Sequence, residues 1–235
     1  MGGSGDACGT VARRGTAHQA CLAKAELALE RGGTGLAIAS EGSFGPHPAV
    51  PLLPVYEAYR AVVRASIAAI RAASPDTQVE VLISDLGGDE AALDRVLEAR
   101  PDVLNHNIET VPRLYKLARP GGRYARALEL LDRSRTIAPD IPTKTGLMVG
   151  LGETMDEVIE VLKDLRRVDV KILTVGQYLR PSMANLPMDR YYTPEEFREI
   201  KRIALELGFG HVESGPLVRS SYHAHEQADS FAGQR

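Results

Sequence analysis

Cysteine is scarce in this chain, which has only Cys8 and Cys21 among its 235 residues. Two thiols cannot form a disulfide framework, and neither belongs to a CxxC pair of the kind that holds zinc. Soft metal centres such as iron–sulfur clusters need thiolate ligands. The sequence by itself is therefore short of ligands for any such centre.

Long apolar runs and an excess of positive charge are also missing. No stretch approaches the roughly 20 apolar residues that cross a bilayer, and the N-terminal MGGSGDACGTVARR lacks the apolar segment of a signal peptide. The formal net charge is −3 and the pI is about 6.1, so nothing electrostatic favours binding to nucleic acid. We expect a cytoplasmic protein that binds neither membrane nor nucleic acid.

The composition changes near residue 55, which divides the chain into an N-terminal block, residues 1–54, and a second region, residues 55–235. Within the block, HQACLAKAELALERG predicts a helix, TGLAIAS a short buried strand and EGSFGPHPAVPLLP a loop that contains His47. A helix, VYEAYRAVVRASIAAIRAAS, opens the second region and ends before Pro75.

Four strand candidates follow, each apolar at its start and polar at its end. They are VEVLISD (79–85), VLNHN (103–107), PTKTGLMVG (142–150) and KILTVGQYL (171–179). Amphipathic helices separate them: DEAALDRVLEAR, YARALELLDRSRTIA and MDEVIEVLKDLRRV. A last helix, TPEEFREIKRIALELG, has Thr193 as its predicted N-cap and Glu196 completing a capping box. This alternation predicts an α/β protein with a parallel sheet, either a barrel or an open doubly wound sheet.

In both architectures ligands bind where the parallel strands end. The polar residues at those ends are therefore candidates for a site. They are Ser84, Asp85, Asn105, His106, Asn107, Glu109, Gly150, Gly152, Glu153, Gln177 and Tyr178.

The segment LNHNIET has two interpretations. In the first, Asn105 and Asn107 stand at alternate positions, face the same side and meet a polar ligand. In the second, the Asn and His side chains cap a following helix that Glu109 and Thr110 begin. The sequence pattern leaves both open.

Two further features are ambiguous. GLMVGLGE does not fit the spacing of a phosphate-binding loop, so its glycines either let a flat ligand lie against the backbone or turn the strand into its helix. Lys144, inside an apolar strand, is a Schiff-base nucleophile, a substrate-binding charge or a side chain that reaches solvent.

The C-terminal segment ESGPLVRSSYHAHEQ concentrates Arg219, Ser221 and several other polar residues, which favours a function over a solvated tail.

Taken together, these motifs resemble the C-terminal two-thirds of the lipoyl synthases. The resemblance runs from about residue 61 to 227 and is carried by VEVLISDLGGDEAALDRVLEARPDVLNHNIETVPRLYKLARPGGRYARALELLDRSRTIAPDIPTKTGLMVGLGETMDEVIEVLKDLRR, KILTVGQYLRPS, RYYTPEEF and GFGHVESGPLVRSSYHA. It implies a radical S-adenosylmethionine enzyme with a partial (βα)6 barrel and two [4Fe-4S] clusters. One cluster cleaves S-adenosylmethionine to a 5'-deoxyadenosyl radical, and the other is sacrificed to insert sulfur at C6 and C8 of an octanoyl chain.

The resemblance also implies roles for individual residues. Ser221 would be an oxygen ligand of the auxiliary cluster, and Arg219 would lie over the active site in a closing lid. The residues implied for S-adenosylmethionine and the octanoyl-lysyl arm are Asn105, Asn107, Glu109, Gly150, Gly152 and Gln177. The implied partners are octanoylated lipoyl-domain proteins.

The sequence departs from that family in its cysteines. Neither the CX4CX5C nor the CX3CX2C motif of lipoyl synthases is present, and the first two βα units are replaced by an unrelated N-terminal block. We therefore expect a partial (βα) barrel of the radical S-adenosylmethionine type that lacks its first two βα units, with a small α/β segment before it and impaired cluster chemistry. The alternatives are an inactive binding module derived from lipoyl synthase and, from another class, a metal-independent barrel aldolase that uses Lys144.

Overall fold

The computed structural model describes residues 36–39, 55–183, 185–224, 226, 227 and 230. The predicted helix around Cys21 and the predicted loop of residues 41–54, with His47, lie outside these residues, as do Cys8 and His225. Of the predicted strand TGLAIAS, the part Leu36–Ala39 is described and is a strand.

Strands and helices alternate along the described chain. The six strands are β1 (Leu36–Ala39), β2 (Gln78–Leu82), β3 (Val103–Asn105), β4 (Thr143–Val149), β5 (Ile172–Gln177) and β6 (His211–Gly215). The helices are α1 (Val55–Ala73), α2 (Glu90–Glu98), α3 (Tyr115–Ala118), α4 (Tyr124–Ile137), α5 (Met155–Arg167) and α6 (Pro194–Glu206). Short 3₁₀ turns stand at Leu86–Gly88 and Pro112–Leu114.

The strands form one parallel sheet in the order β1-β2-β3-β4-β5-β6. The predicted parallel α/β architecture is confirmed, and the open sheet with helices over one face is a partial barrel. β1 belongs to the N-terminal block and pairs with β2 in the register Leu36↔Gln78 to Ala39↔Val81. The block therefore supplies a strand that covers one edge of β2, which would otherwise present unpaired backbone groups.

β6 was not predicted from the sequence. Its five residues, HVESG, include one large apolar side chain, Val212, which is buried in the core. A strand with so little apolar alternation resembles a polar loop in sequence, because packing against β5 on one side is what holds it.

Alternating residues of each strand divide between the helix layer and the concave side of the sheet. Leu173 and Val175 pack with Phe197 and Ile200 of α6 in the main apolar core, while Thr174 and Gly176 face the other way and line a cavity. A second apolar cluster joins α1 and α2 to β2. The polar candidates are consequently positioned by buried strands.

Two helices begin with complete capping boxes. Thr193 accepts a hydrogen bond from the Glu196 amide at 3.2 Å, and the Glu196 carboxylate accepts one from the Thr193 amide at 2.8 Å. The predicted cap of α6 is thus confirmed. Thr154 and Glu157 form the same arrangement at the start of α5.

Candidate functional site

A cavity of about 860 Å³ opens at the carboxyl ends of β3, β4 and β5. This is the size range of small-molecule sites, and the end of the sheet is where parallel α/β folds place them. Its polar lining comprises Asn107, Glu109, Arg119, Thr174, Gln177, Tyr178, Asn185, Arg219 and Ser220, and its apolar walls include Leu117, Leu147, Leu151, Leu179 and Leu186.

Asn107 and Glu109 form one polar wall together with Arg119. The Asn107 side chain hydrogen-bonds the Glu109 carboxylate, and the Arg119 guanidinium lies 3.6 Å from that carboxylate while donating to the Asn107 carbonyl oxygen at 3.1 Å. Burial raises the pKa of Glu109, and Arg119 and Asn107 oppose that rise. A cationic group in the cavity would add to their effect and favour the ionised carboxylate.

The backbone also fixes Glu109. Its amide donates to the Gly146 carbonyl oxygen at 3.0 Å, its own carbonyl oxygen accepts from the Met148 amide at 2.8 Å, and its φ of 67° lies in the left-handed region. The next helical turn, Pro112–Leu114, has Val111 as its N-cap residue, and no side chain caps it. The interpretation of LNHNIET as a helix cap is therefore wrong, and Asn107 faces the cavity.

Asn105 lies deeper than Asn107. Its side chain is fully buried, its Nδ2 donates to Glu80 at 2.7 Å, and it is not among the residues that line the cavity. Lys144 is also fully buried and forms a 2.8 Å ion pair with Glu80. The interpretation of Lys144 as a lysine that reaches solvent is wrong, and a carbonyl substrate in the cavity would not meet its amine, which removes the basis for the aldolase alternative.

Two glycines allow close approach at the cavity floor. A Cβ atom at Gly146 would lie 2.7 Å from Asn107 Oδ1, and one at Gly176 would lie 2.3 Å from the carbonyl oxygen of Val218. The Val218 backbone therefore excludes a side chain at Gly176, whereas at Gly146 the side chains of Asn107 and Thr174 would have to move. At Gly176 the contact brings the C-terminal segment against β5.

Gly150 and Gly152 form a tight turn after β4. Their φ angles are 102° and 103°, and Glu153 accepts hydrogen bonds from the Gly150 amide at 2.6 Å and the Leu151 amide at 2.9 Å. Only Leu151 of this turn lines the cavity. Gly150 and Gly152 thus turn the strand into its helix, whereas Gly146 of the same motif lies within β4 and lines the cavity. The predicted contact of Gly150 and Gly152 with a cofactor stays a prediction.

Gln177 links the cavity to the segment before α6. Its Oε1 accepts from the Tyr192 amide at 2.9 Å, and its Nε2 donates to the Arg190 carbonyl oxygen at 3.0 Å. The side chain lines the cavity while it holds this segment in place.

The C-terminal segment contributes two polar residues to the cavity. Arg219 and Ser220 line it, whereas Ser221 is exposed and is not among the lining residues. The Arg219 guanidinium donates to the Val218 carbonyl oxygen at 2.7 Å and lies beside Gly176. Tyr222 and His223 stack on each other with ring centroids 4.1 Å apart.

Arg119 was missed in the sequence. It follows the short helix α3 and precedes the turn at Gly121, whose φ is 87°. The only sequence signal was a basic residue directly before a Pro-Gly-Gly turn, and loops of that kind are common at protein surfaces.

The residues present do not fit an iron–sulfur cluster. Each cluster of this type is held by cysteine thiolates, and the chain has two cysteines, both outside the described residues. In the part of the chain that the structure describes, no group of three or more His, Cys, Asp or Glu side chains could hold a metal ion. The cavity, by contrast, offers opposite charges and apolar walls that suit a zwitterionic ligand with an apolar or aromatic body.

The family comparison defines the class, the radical S-adenosylmethionine proteins, and the fold agrees with it. Residues 19–165 match the Radical SAM superfamily, and the chain belongs to that family. Methylornithine synthase (PylB) shares the fold with a TM-score of 0.59 at 15% identity, over 80% of this chain and 52% of that one. The Elp3 protein of Methanocaldococcus infernus gives a TM-score of 0.58 at 12% identity, over 87% and 53%.

Within that class, the chain carries a lipoyl synthase-like C-terminal portion. It is 59% identical over 165 residues to the lipoyl synthase of Koribacter versatilis, and the matched region covers 70% of this chain and 54% of that protein. It is 56% identical over 168 residues to the lipoyl synthase of Rubrobacter xylanophilus, and the matched region covers 72% of this chain and 52% of that protein. The chain spans about half the length of these curated relatives.

One further observation concerns membranes. Among the described helices, none is long and apolar enough to cross a bilayer.

Proposed function

We propose that this chain is a lipoyl synthase-like barrel that binds S-adenosylmethionine at its rim and lacks the thiolates for both [4Fe-4S] clusters. By its relatives, the corresponding reaction is the insertion of two sulfurs at C6 and C8 of octanoyl-lysine on lipoyl-domain proteins. In this chain alone that reaction is impaired. The observation that carries the proposal is the cavity at the ends of β3–β5, combined with only two cysteines in the whole sequence.

The cavity suits the amino-acid end of S-adenosylmethionine by its charges. The Glu109 carboxylate accepts hydrogen bonds and would hold the ammonium group. Arg219 and Arg119 would hold the carboxylate, since guanidinium groups bind carboxylates through paired donors. The apolar walls leave space for the adenosyl group.

The clusters would supply the electron that starts radical chemistry, and among the described residues no set of side chains would hold them. Ser221 is exposed, so it is available to an auxiliary cluster only if thiolates from elsewhere complete the ligand set. Octanoylated lipoyl-domain proteins are the proposed partners and the cytoplasm the proposed location. We also place the boundary between the N-terminal block and the barrel near residue 54, with β1 of the block joining the barrel sheet.

Calorimetry tests the binding half of the proposal. Titration of S-adenosylmethionine into the full chain should give one site, and Glu109→Gln should weaken it. Lys163→Gln on the exposed face of α5 is the matched control and should bind as the unmodified chain does. If neither S-adenosylmethionine nor S-adenosylhomocysteine gave a heat of binding, the binding half of the proposal would be refuted.

Anaerobic reconstitution tests the chemical half. We expect iron and sulfide well below four of each per chain, no cluster absorption band and no 5'-deoxyadenosine above background after addition of a reductant. Stoichiometric cluster and 5'-deoxyadenosine would show that the chain is an active enzyme and would overturn the expected impairment. We predict that the chain binds S-adenosylmethionine and does not cleave it. This result would favour a binding module over an enzyme.

A further inference from the structure

A buried polar cluster lies beneath the cavity, and the site described above does not use it. Its members are Glu80 on β2, Asn105 on β3 and Lys144 on β4. The Lys144 Nζ donates to Glu80 Oε2 at 2.8 Å, and the Asn105 Nδ2 donates to Glu80 Oε1 at 2.7 Å. Lys144 and Asn105 are fully buried and Glu80 is 2% exposed. One carboxylate thus joins three neighbouring strands.

The alternation of side chains places this cluster one layer below the cavity. Asn107 follows Asn105 by two residues, and Gly146 follows Lys144 by two, so each pair faces the same side. Asn107 and Gly146 line the cavity. Any movement of the ion pair along the strands would therefore shift the floor of the site.

β3 needs such support because it is short. Its strand is three residues long, and its register with β4 consists of Leu104↔Thr143 and Asn105↔Lys144. Beyond Asn105 the regular ladder ends, and separate hydrogen bonds hold the chain to β4. The backbone bonds run from the His106 amide to Lys144, from the Glu109 amide to Gly146 and from the Met148 amide to Glu109, and the Thr145 hydroxyl accepts from the Ile108 amide and donates to the His106 carbonyl oxygen. The side chains of the cluster add the cross-strand links that a longer ladder would otherwise supply.

Overall stability does not by itself require an ion pair at this place. Removing two charges from water costs about as much as their attraction returns, so apolar side chains of similar volume often stabilise a core as well. Burial lowers the pKa of Lys144, and Glu80 opposes that shift by favouring the ammonium form. The specific geometry of the pair is what an apolar replacement cannot reproduce.

We propose that the Glu80–Lys144 ion pair is a positioning element, which joins β2 to β4 and, through Asn105, sets the place of Asn107 and Glu109 at the cavity. Its contribution to the free energy of unfolding is secondary. The inference rests on the proposed function only for its ligand readout, because the position of the β3 segment can be measured without any ligand.

The test is the double variant Glu80→Leu/Lys144→Met, which replaces the ion pair by apolar side chains of comparable length. Amide hydrogen exchange of Glu109 and Met148 should accelerate about tenfold or more, while the amides of β5 keep their protection. The dissociation constant of S-adenosylmethionine should rise by about tenfold as well. Glu80→Gln, which keeps the volume of the side chain, is measured in the same way and should show the same local pattern. It carries the test if the double variant does not fold.

Two results would overturn the inference. Unchanged exchange at Glu109 and Met148 would mean that the ion pair does not position them. Equal acceleration throughout the sheet, in the double variant and in Glu80→Gln, would mean that the pair serves overall stability. A folded chain with the predicted local exchange but without S-adenosylmethionine binding would refute the proposed function and leave the positioning role standing.

Discussion

The Nδ1 atom of His106 donates a 3.0 Å hydrogen bond to the carbonyl oxygen of Ile83, in the buried layer behind Asn107. Burial lowers the pKa of His106 to about 4 from its usual value of 6.5. Between these two values the unfolded chain binds a proton that the folded chain does not. The stability associated with neutral His106 is therefore present above pH 6.5 and lost as the pH falls toward 4.

The variant His106→Gln isolates this effect. The free energy of unfolding of the unmodified chain, relative to that of the variant, should fall by about 3 kcal/mol between pH 7.5 and pH 4, because one pKa unit corresponds to about 1.4 kcal/mol. Denaturant titrations at several pH values give this difference, and the other titrating groups cancel in it. A difference that stays constant with pH would show that His106 titrates alike in the folded and unfolded chains.

A second prediction concerns the capping box of α5. Thr154→Ala removes the side chain that accepts the Glu157 amide and should lower the free energy of unfolding by about 1 kcal/mol. Thr136→Ala is the matched control, because that exposed threonine bonds within its own helix and caps nothing. Equal effects of the two substitutions in urea denaturation would argue against the cap.

The same capping box carries a pH dependence. Hydrogen bonds from Arg113 and from the Thr154 amide lower the pKa of Glu157 to about 2 from 4.5. The stabilisation by ionised Glu157 is present above pH 4.5 and is lost as the pH falls through 2. Glu157→Gln should remove this part of the acid sensitivity. The ion pair lies at the surface, with the side chain of Arg113 55% exposed and that of Glu157 27% exposed, so the effect should be small and should weaken with added salt.

A fourth prediction follows from the contact between β5 and the C-terminal segment. Gly176→Ala should displace the turn that contains Val218, because the new methyl group would meet the Val218 carbonyl oxygen at 2.3 Å. We expect loss of S-adenosylmethionine binding and a stability decrease of about 1–3 kcal/mol. Gly215→Ala is the control: the nearest atom to its new methyl group is Val218 Cγ2 at 3.4 Å, so it should be tolerated far better.

Arg219 gives a fifth prediction. Arg219→Ala should weaken S-adenosylmethionine binding by about tenfold or more, since a hydrogen bond to a charged group contributes about 1.5–3 kcal/mol. Arg198→Ala, on the exposed surface of α6, should bind as the unmodified chain does. If calorimetry gave the same affinity for Arg219→Ala, the guanidinium would have no contact with this ligand.

The apolar patterns of the chain predict the four inner strands and the long helices, because burial on one or both faces leaves a period that can be read. They do not predict β6, whose single large apolar residue leaves no period. Nor do they separate Asn105 from Asn107. Both have the same residue type and face the same side, and only the depth of the cavity, set by distant strands, leaves one beneath the floor and one in the wall.

Lys144 shows the same limit more sharply. A lysine in an apolar strand indicates an unusual environment, but its partner, Glu80, is 64 residues away and lies two strands across the sheet. Arg119 is comparable, since its approach to Glu109 depends on how the chain folds back through the short helix α3 between them. Long-range pairing of charges is not encoded in any local pattern.

The order of the strands in the sheet is also their order along the chain, from β1 to β6. Each new strand has its partner already in place as the chain emerges during synthesis, so assembly can proceed unit by unit from the N-terminus. Each parallel pairing still has to span the segment between its two strands, so the sheet forms more slowly than a fold built on local contacts. Of the described strands, β6 arrives last and brings the segment with Arg219, so the cavity is completed only after β6 has joined the sheet.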